Sequence, residues 1–126
     1  MQTFSKNERL CSKVLIERLV ENGRSFNNFP LRISWLPIAE SSSPVKIVIS
    51  VSKRKFKRAV DRNRIKRQIR EAYRKEKQKV YDVLGEKKIL LMLVYTAKTK
   101  IEYKEIEEKI IESMERLSKT VKTDLA

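Results

Sequence analysis

The stretch RNRIKRQIRE, Arg62–Glu71, places five cationic residues in ten positions and still spaces two isoleucines four apart. A disordered basic tail has no reason to keep that phase, whereas a helix docked on one side has. At about 100° per residue from Ile65, Ile69 falls near 40°, Ala72 near 340° and Glu76 near 20°, with Tyr73 beside them. Asn63, Arg67, Arg70 and Arg74 fall between about 140° and 200°, opposite that stripe. Arg64 and Lys66 flank the cationic face, and Arg62 lies nearer the core edge. The pattern predicts a helix from about Arg58 to Lys79, apolar on one side and basic on the other.

An ordinary solvated helix face mixes its signs in i,i+4 pairs. From Arg62 to Lys77 the chain sets eight Lys and Arg against Glu71 and Glu76. Like charges at that spacing cost about 0.2–0.5 kcal/mol per pair in an isolated helix. A cost repeated so often points to a polyanion that offsets it. Arginine favours RNA, because it binds phosphate bidentately and stacks on exposed bases, and Asn63 adds a donor and an acceptor to the patch. Lys53, Arg54 and Lys55 would extend the patch around the helix N-terminus, which itself favours phosphate.

The bulk composition agrees. The formal charge is +14 over 126 residues. Residues 53–79 hold 14 Lys and Arg against 3 acids, a net +11, and the rest of the chain carries only +3. The charge is a local device. An apolar fraction of 40% argues against disorder, and the length predicts a single domain spanning 1–126, with short flexible ends at about 1–6 and 120–126. Cys11 is the lone cysteine, so a reducing compartment is expected. The N-terminal stretch carries no apolar signal segment, and ILLMLVY, Ile89–Tyr95, is too short to span a bilayer. The reading is a cytoplasmic protein with no membrane partner.

The chemistry that is missing narrows the function. There is no histidine, one cysteine cannot build a zinc site, and two glycines cannot build a phosphate loop. Glu107 and Glu108 sit on the polar side of a helix and offer poor support for a two-metal nuclease. No catalytic residue, protein-held metal or small-molecule substrate is expected. If the chain takes part in catalysis, something else supplies the active site.

Around the basic helix the other elements fall into place. SKVLIERLVENG reads as a helix capped by Ser12, carrying Leu15, Ile16, Leu19 and Val20 on one side and closed by a left-handed Gly23. LRISWLPI and VKIVISVS alternate as strands, and ESSSP, Glu40–Pro44, reads as a hairpin loop between them. A short extra strand near Arg24–Asn27 is weakly signalled. KKILLMLVYT reads as a buried strand. A last helix, from Glu102 to about Lys119, has Thr99 and Glu102 as a capping box. The class is α+β with a small mixed sheet.

The segment VSKRKFKRAVDRNRIKRQIREAYR, Val51–Arg74, closely resembles the signature of the bacterial ribonuclease P protein subunit. Weaker similarity reaches back to ERL…ENGRSF and forward through the last helix, so it covers about Phe4 to Lys119. The resemblance implies a single small α/β sandwich in the order α-β-β-β-α-β-α with a left-handed βαβ crossover. It also implies an assistant to a catalytic RNA that removes the 5′ leader from precursor tRNA. In that family the RNA hydrolyses the bond with magnesium, which is therefore expected at the RNA active site. Carried onto this chain, the residues facing the RNA subunit would be Arg58, Arg62, Asn63, Arg64, Lys66, Arg67, Arg70 and Arg74. The leader would lie between the first helix and the sheet, near Arg9, Ile16, Val20, Lys53, Arg54 and Lys55. Lys57 stands where the family usually has glycine, and Ile16 and Val20 where many members present aromatics. Arg32 and Ser34 likewise stand at sheet positions that are often aromatic or apolar, and Phe26, Phe29 and Trp35 are the nearby rings. A structural or ribosomal RNA-binding protein is the rival reading.

Overall fold

The computed structural model describes residues 13–39 and 43–124. The chain runs α1 (Lys13–Asn22), β1 (Arg24–Asn28), β2 (Leu31–Ile38), β3 (Val45–Val51), α2 (Ala59–Leu84), β4 (Lys88–Tyr95) and α3 (Tyr103–Asp124), the expected order. One mixed sheet has the order β1-β2-β4-β3. The weakly signalled strand is present as β1, paired antiparallel with β2 from Arg24↔Trp35 to Asn28↔Leu31.

β4 takes the centre because it is apolar on both faces. Ile89, Leu90, Leu91 and Leu93 are all completely buried. It pairs antiparallel with β2 and parallel with β3, from Val45↔Ile89 to Val51↔Tyr95. The parallel β3–α2–β4 unit is the segment for which a left-handed crossover is expected. The predicted β2–β3 hairpin is not formed, since β4 is inserted between those strands. Turn-forming composition was legible there; the strand order depends on where the most apolar segment is buried.

The main core lies between the sheet and the two long helices. Leu31, Ile33 and Trp35 of β2 meet Ile65, Ile69, Ala72 and Tyr73 of α2 and Ile106, Ile110, Met114 and Leu117 of α3. Each fully buried large aliphatic contributes about 1.5–3 kcal/mol. The opposite sheet face packs Leu90, Val48 and Met92 against Leu15, Ile16 and Leu19 of α1. Among the described residues, the short α1 covers only part of that face.

Four boundaries differ from expectation. α2 continues past Lys79 because Val80 and Leu84 extend the buried stripe, and it stops where Gly85 takes φ 60°. α3 continues to Asp124, so residues 120–124 of the expected flexible end are helical: Val121 is buried and Asp124 pairs with Arg24. The expected flexible residues 1–6, and the Ser12 cap, lie outside the described residues. Gly23 is not left-handed; a Cβ there would stand 2.4 Å from the Leu19 carbonyl oxygen, so close approach is what demands glycine. Thr99 does not sit at the start of α3; its carbonyl accepts the Tyr95 hydroxyl at 2.7 Å, and the Glu102 carbonyl begins the helix ladder.

Candidate nucleic-acid interface

The basic surface is built from the turn after β3 and the first half of α2. Ser52 organises the turn: its hydroxyl accepts the Arg54 and Lys55 amides at 3.2 and 3.3 Å, and its carbonyl accepts the Phe56 amide at 3.0 Å. Phe56 is buried against Tyr95, with ring centroids 5.9 Å apart. That anchor leaves Lys53, Arg54 and Lys55 exposed in succession. The Lys55 ammonium donates to the Thr96 carbonyl at 2.9 Å and so ties the turn to the end of β4.

The cationic residues of α2 divide into two sets. Asn63, Arg64 and Arg67 are exposed, and among the described residues their side chains make no hydrogen bond. Arg58, in the N-cap position, is exposed with no side-chain capping bond. Lys66 is half-buried. Arg62 instead turns back, donating from Nη1 to the Phe56 and Lys57 carbonyls at 2.7 and 2.9 Å. Its position at the core edge explains this, and it braces the turn. Arg74 forms a two-pronged pair with Glu71, at 3.2 and 2.7 Å, which raises its pKa and lowers that of the carboxylate. Arg70 is half-buried with its Nε enclosed. The face most open to a partner is therefore the first half of the helix.

Asp61 is the one acid in the first turn of α2. It pairs with the Lys100 ammonium at 2.7 Å, and this bond, reinforced by the positive fields of Lys100, Arg58 and Arg64, holds its carboxyl below the ordinary value. The pair removes one charge of each sign and leaves the arginines dominant.

On the opposite sheet face, beside α1, a cleft of about 270 Å³ is lined by Val20, Arg32, Ser34, Met92, Val94 and Thr96. Val20 is 65% exposed, while Ile16 is half-buried in the α1–sheet cluster and does not line the cleft. Thr96 joins the cleft to the basic turn, because its carbonyl holds Lys55. The sequence reading missed Met92, Val94 and Thr96; the alternation of β4 carried the signal, but only strand pairing brings these residues beside Arg32. Of the three nearby rings, Trp35 is core and Phe26 lies under Arg116 at 4.3 Å. Phe29 is 64% exposed in the β1–β2 turn, next to Pro30, whose carbonyl accepts the Thr96 amide at 2.8 Å. Arg9 lies outside the described residues.

Among the described residues no three His, Cys, Asp or Glu side chains gather where they could hold a metal ion, and no helix is long and apolar enough to cross a membrane. These observations define a small α+β protein with a cationic helix face joined, through a basic turn, to a narrow sheet cleft. The family model for ribonuclease P matches residues 4–118. A ribonuclease P protein component of Porphyromonas gingivalis is 38% identical over 93 residues, covering 73% of this chain and 68% of that protein. One from Chlorobaculum tepidum is 43% identical over 103 residues, covering 74% and 67%. The fold matches RNase P proteins of Thermotoga maritima (TM-score 0.70, 19% identity, 86% of this chain and 96% of that one) and Staphylococcus aureus (0.62, 27%, 93% and 97%). The chain belongs to the ribonuclease P protein family.

Proposed function

We propose that this chain is the RNA-binding protein subunit of a cytoplasmic ribonuclease P, assisting a catalytic RNA in endonucleolytic removal of the 5′ leader from precursor tRNA. The observation that carries the reading is the exposed trio Asn63, Arg64 and Arg67, whose side chains make no hydrogen bond among the described residues, on a helix otherwise docked in the core. With Arg58 and Lys66 it would meet the phosphates of the catalytic RNA, while Arg62 holds the turn that presents Lys53, Arg54 and Lys55.

The leader would run from that turn into the cleft by way of Thr96. The aromatic pair of many family members is absent, but the Arg32 guanidinium offers a plane on which a base can stack, and Phe29 offers an exposed ring near Thr96. Binding both RNAs in one orientation brings the scissile bond to the catalytic RNA and lowers the entropy cost of their encounter. Contacts that hold the phosphates of both RNAs in one arrangement would favour magnesium binding at the RNA active site by preorganising its ligands. The chain's own residues bind and position; no hydrolytic step is assigned to them.

The test is reconstitution. Added to its cognate RNA, the chain is expected to speed leader removal at low magnesium. RNA binding without acceleration would favour the structural RNA-binding reading instead.

A further inference from the structure

A second cavity lies on the far side of Arg64 from the open helix face. It has a volume of about 400 Å³ and is lined by Arg64 and Gln68 of α2 and by Lys100, Ile101, Glu102 and Tyr103 at the entry to α3. That volume lies within the range of about 300–1,000 Å³ that holds small organic ligands.

Its walls divide by chemistry. Ile101 and Tyr103 form an apolar side, half-buried against the main core. Burial, and then the Glu107 carboxylate that accepts the Tyr103 hydroxyl at 3.0 Å, raise the phenol above its ordinary value, so the ring is neutral. Gln68 is half-buried, yet among the described residues its amide makes no hydrogen bond. Its amide donor and acceptor therefore stand open to the polar edge of a ligand. Lys100 is neutralised by Asp61, which leaves Arg64 as the cation open to a ligand, and Glu102 adds a carboxylate acceptor.

A flat apolar wall, a hydrogen-bonding edge and one open cation match the face of a base, its polar edge and the phosphate of one nucleotide. We infer that this cavity is a base-binding pocket for one unstacked nucleotide of the RNA held by α2, its base against Tyr103 and Ile101, its edge toward Gln68 and Glu102, and its phosphate on Arg64. The inference rests on the RNA-binding reading above and deepens it, because Arg64 belongs to both surfaces. Glu102 favours bases that present an amino group and repels a phosphate placed on its own side of the pocket.

The experiment measures affinity of the full chain for the cognate ribonuclease P RNA over a range of salt. Gln68→Trp fills the pocket from the surface of α2 without entering the core. It is expected to weaken binding at least fivefold, with a salt slope lowered by no more than the about 0.7–0.9 of the single phosphate on Arg64. Tyr103→Leu is expected to do the same and Tyr103→Phe to bind within twofold of the parent, because the ring is kept. If Tyr103→Leu fails to fold, Gln68→Trp alone decides. Parental affinity in folded Gln68→Trp overturns the pocket. If Arg67→Ala is weakened in that same series, RNA binding by α2 stands without it; if Arg67→Ala is also neutral, both readings fall. Binding of free GMP that Gln68→Trp abolishes while RNA affinity is unchanged would likewise overturn an RNA subsite.

Discussion

Replacing Arg64 and Arg67 together by alanine separates RNA contact from folding. Both side chains are exposed and make no hydrogen bond among the described residues, so stability should stay within about 0.5 kcal/mol of the parent. Each lost phosphate contact lowers the slope of log affinity against log salt by about 0.7–0.9, hence about 1.4–1.8 for the pair. Between 50 and 200 mM salt, a fourfold change, the parent should therefore lose about 7–12 times more affinity than the double variant. Arg62→Ala provides the contrast. It removes two bonds from a charged donor to the Phe56 and Lys57 carbonyls, a loss of about 1.5–3 kcal/mol, toward the lower end because Arg62 is only half-buried. The assay is equilibrium binding to the cognate RNA at several salt concentrations, with melting temperatures measured alongside. An unchanged slope in the folded double variant would refute the assignment of the α2 face.

The purified chain alone should leave precursor tRNA intact, and Glu107→Gln should barely change the reconstituted rate; an essential Glu107 in the chemical step would overturn RNA catalysis. Val20→Phe places a ring on the cleft wall and should raise the affinity ratio of precursor to mature tRNA by about fivefold or more, whereas Phe29→Leu should lower it. Gly23→Ala forces a Cβ toward the Leu19 carbonyl oxygen and should destabilise by about 1–3 kcal/mol, read as a lower melting temperature. Asp61 has a lowered pKa in the folded chain, so its pairing with Lys100 stabilises above the ordinary carboxylate value and is lost as pH falls through the folded one. Melting temperature should thus fall more steeply from pH 7 toward 3 in the parent than in Asp61→Asn.

Local spacing determined much of this protein before any tertiary contact. The phase of Ile65, Ile69 and Ala72 against Asn63 and Arg67 states which side of α2 is core, because helical periodicity is a property of the chain itself. The unbroken apolar run of β4 likewise announced burial on both faces. Periodicity cannot say which cations are spent internally. Spacing sets Arg62 nearer the core edge than Arg64, but that Arg62 braces a turn while Arg64 stays open depends on a carbonyl pair that comes within reach only when the turn folds. The resemblance pointed to a cleft beside Val20, Arg32 and Ser34, but its β4 wall and the pocket were illegible: strand pairing sets Arg32 beside Val94, and packing of α3 on α2 sets Tyr103 near Gln68. Those juxtapositions join residues distant along the chain, and only the burial of one shared core selects them.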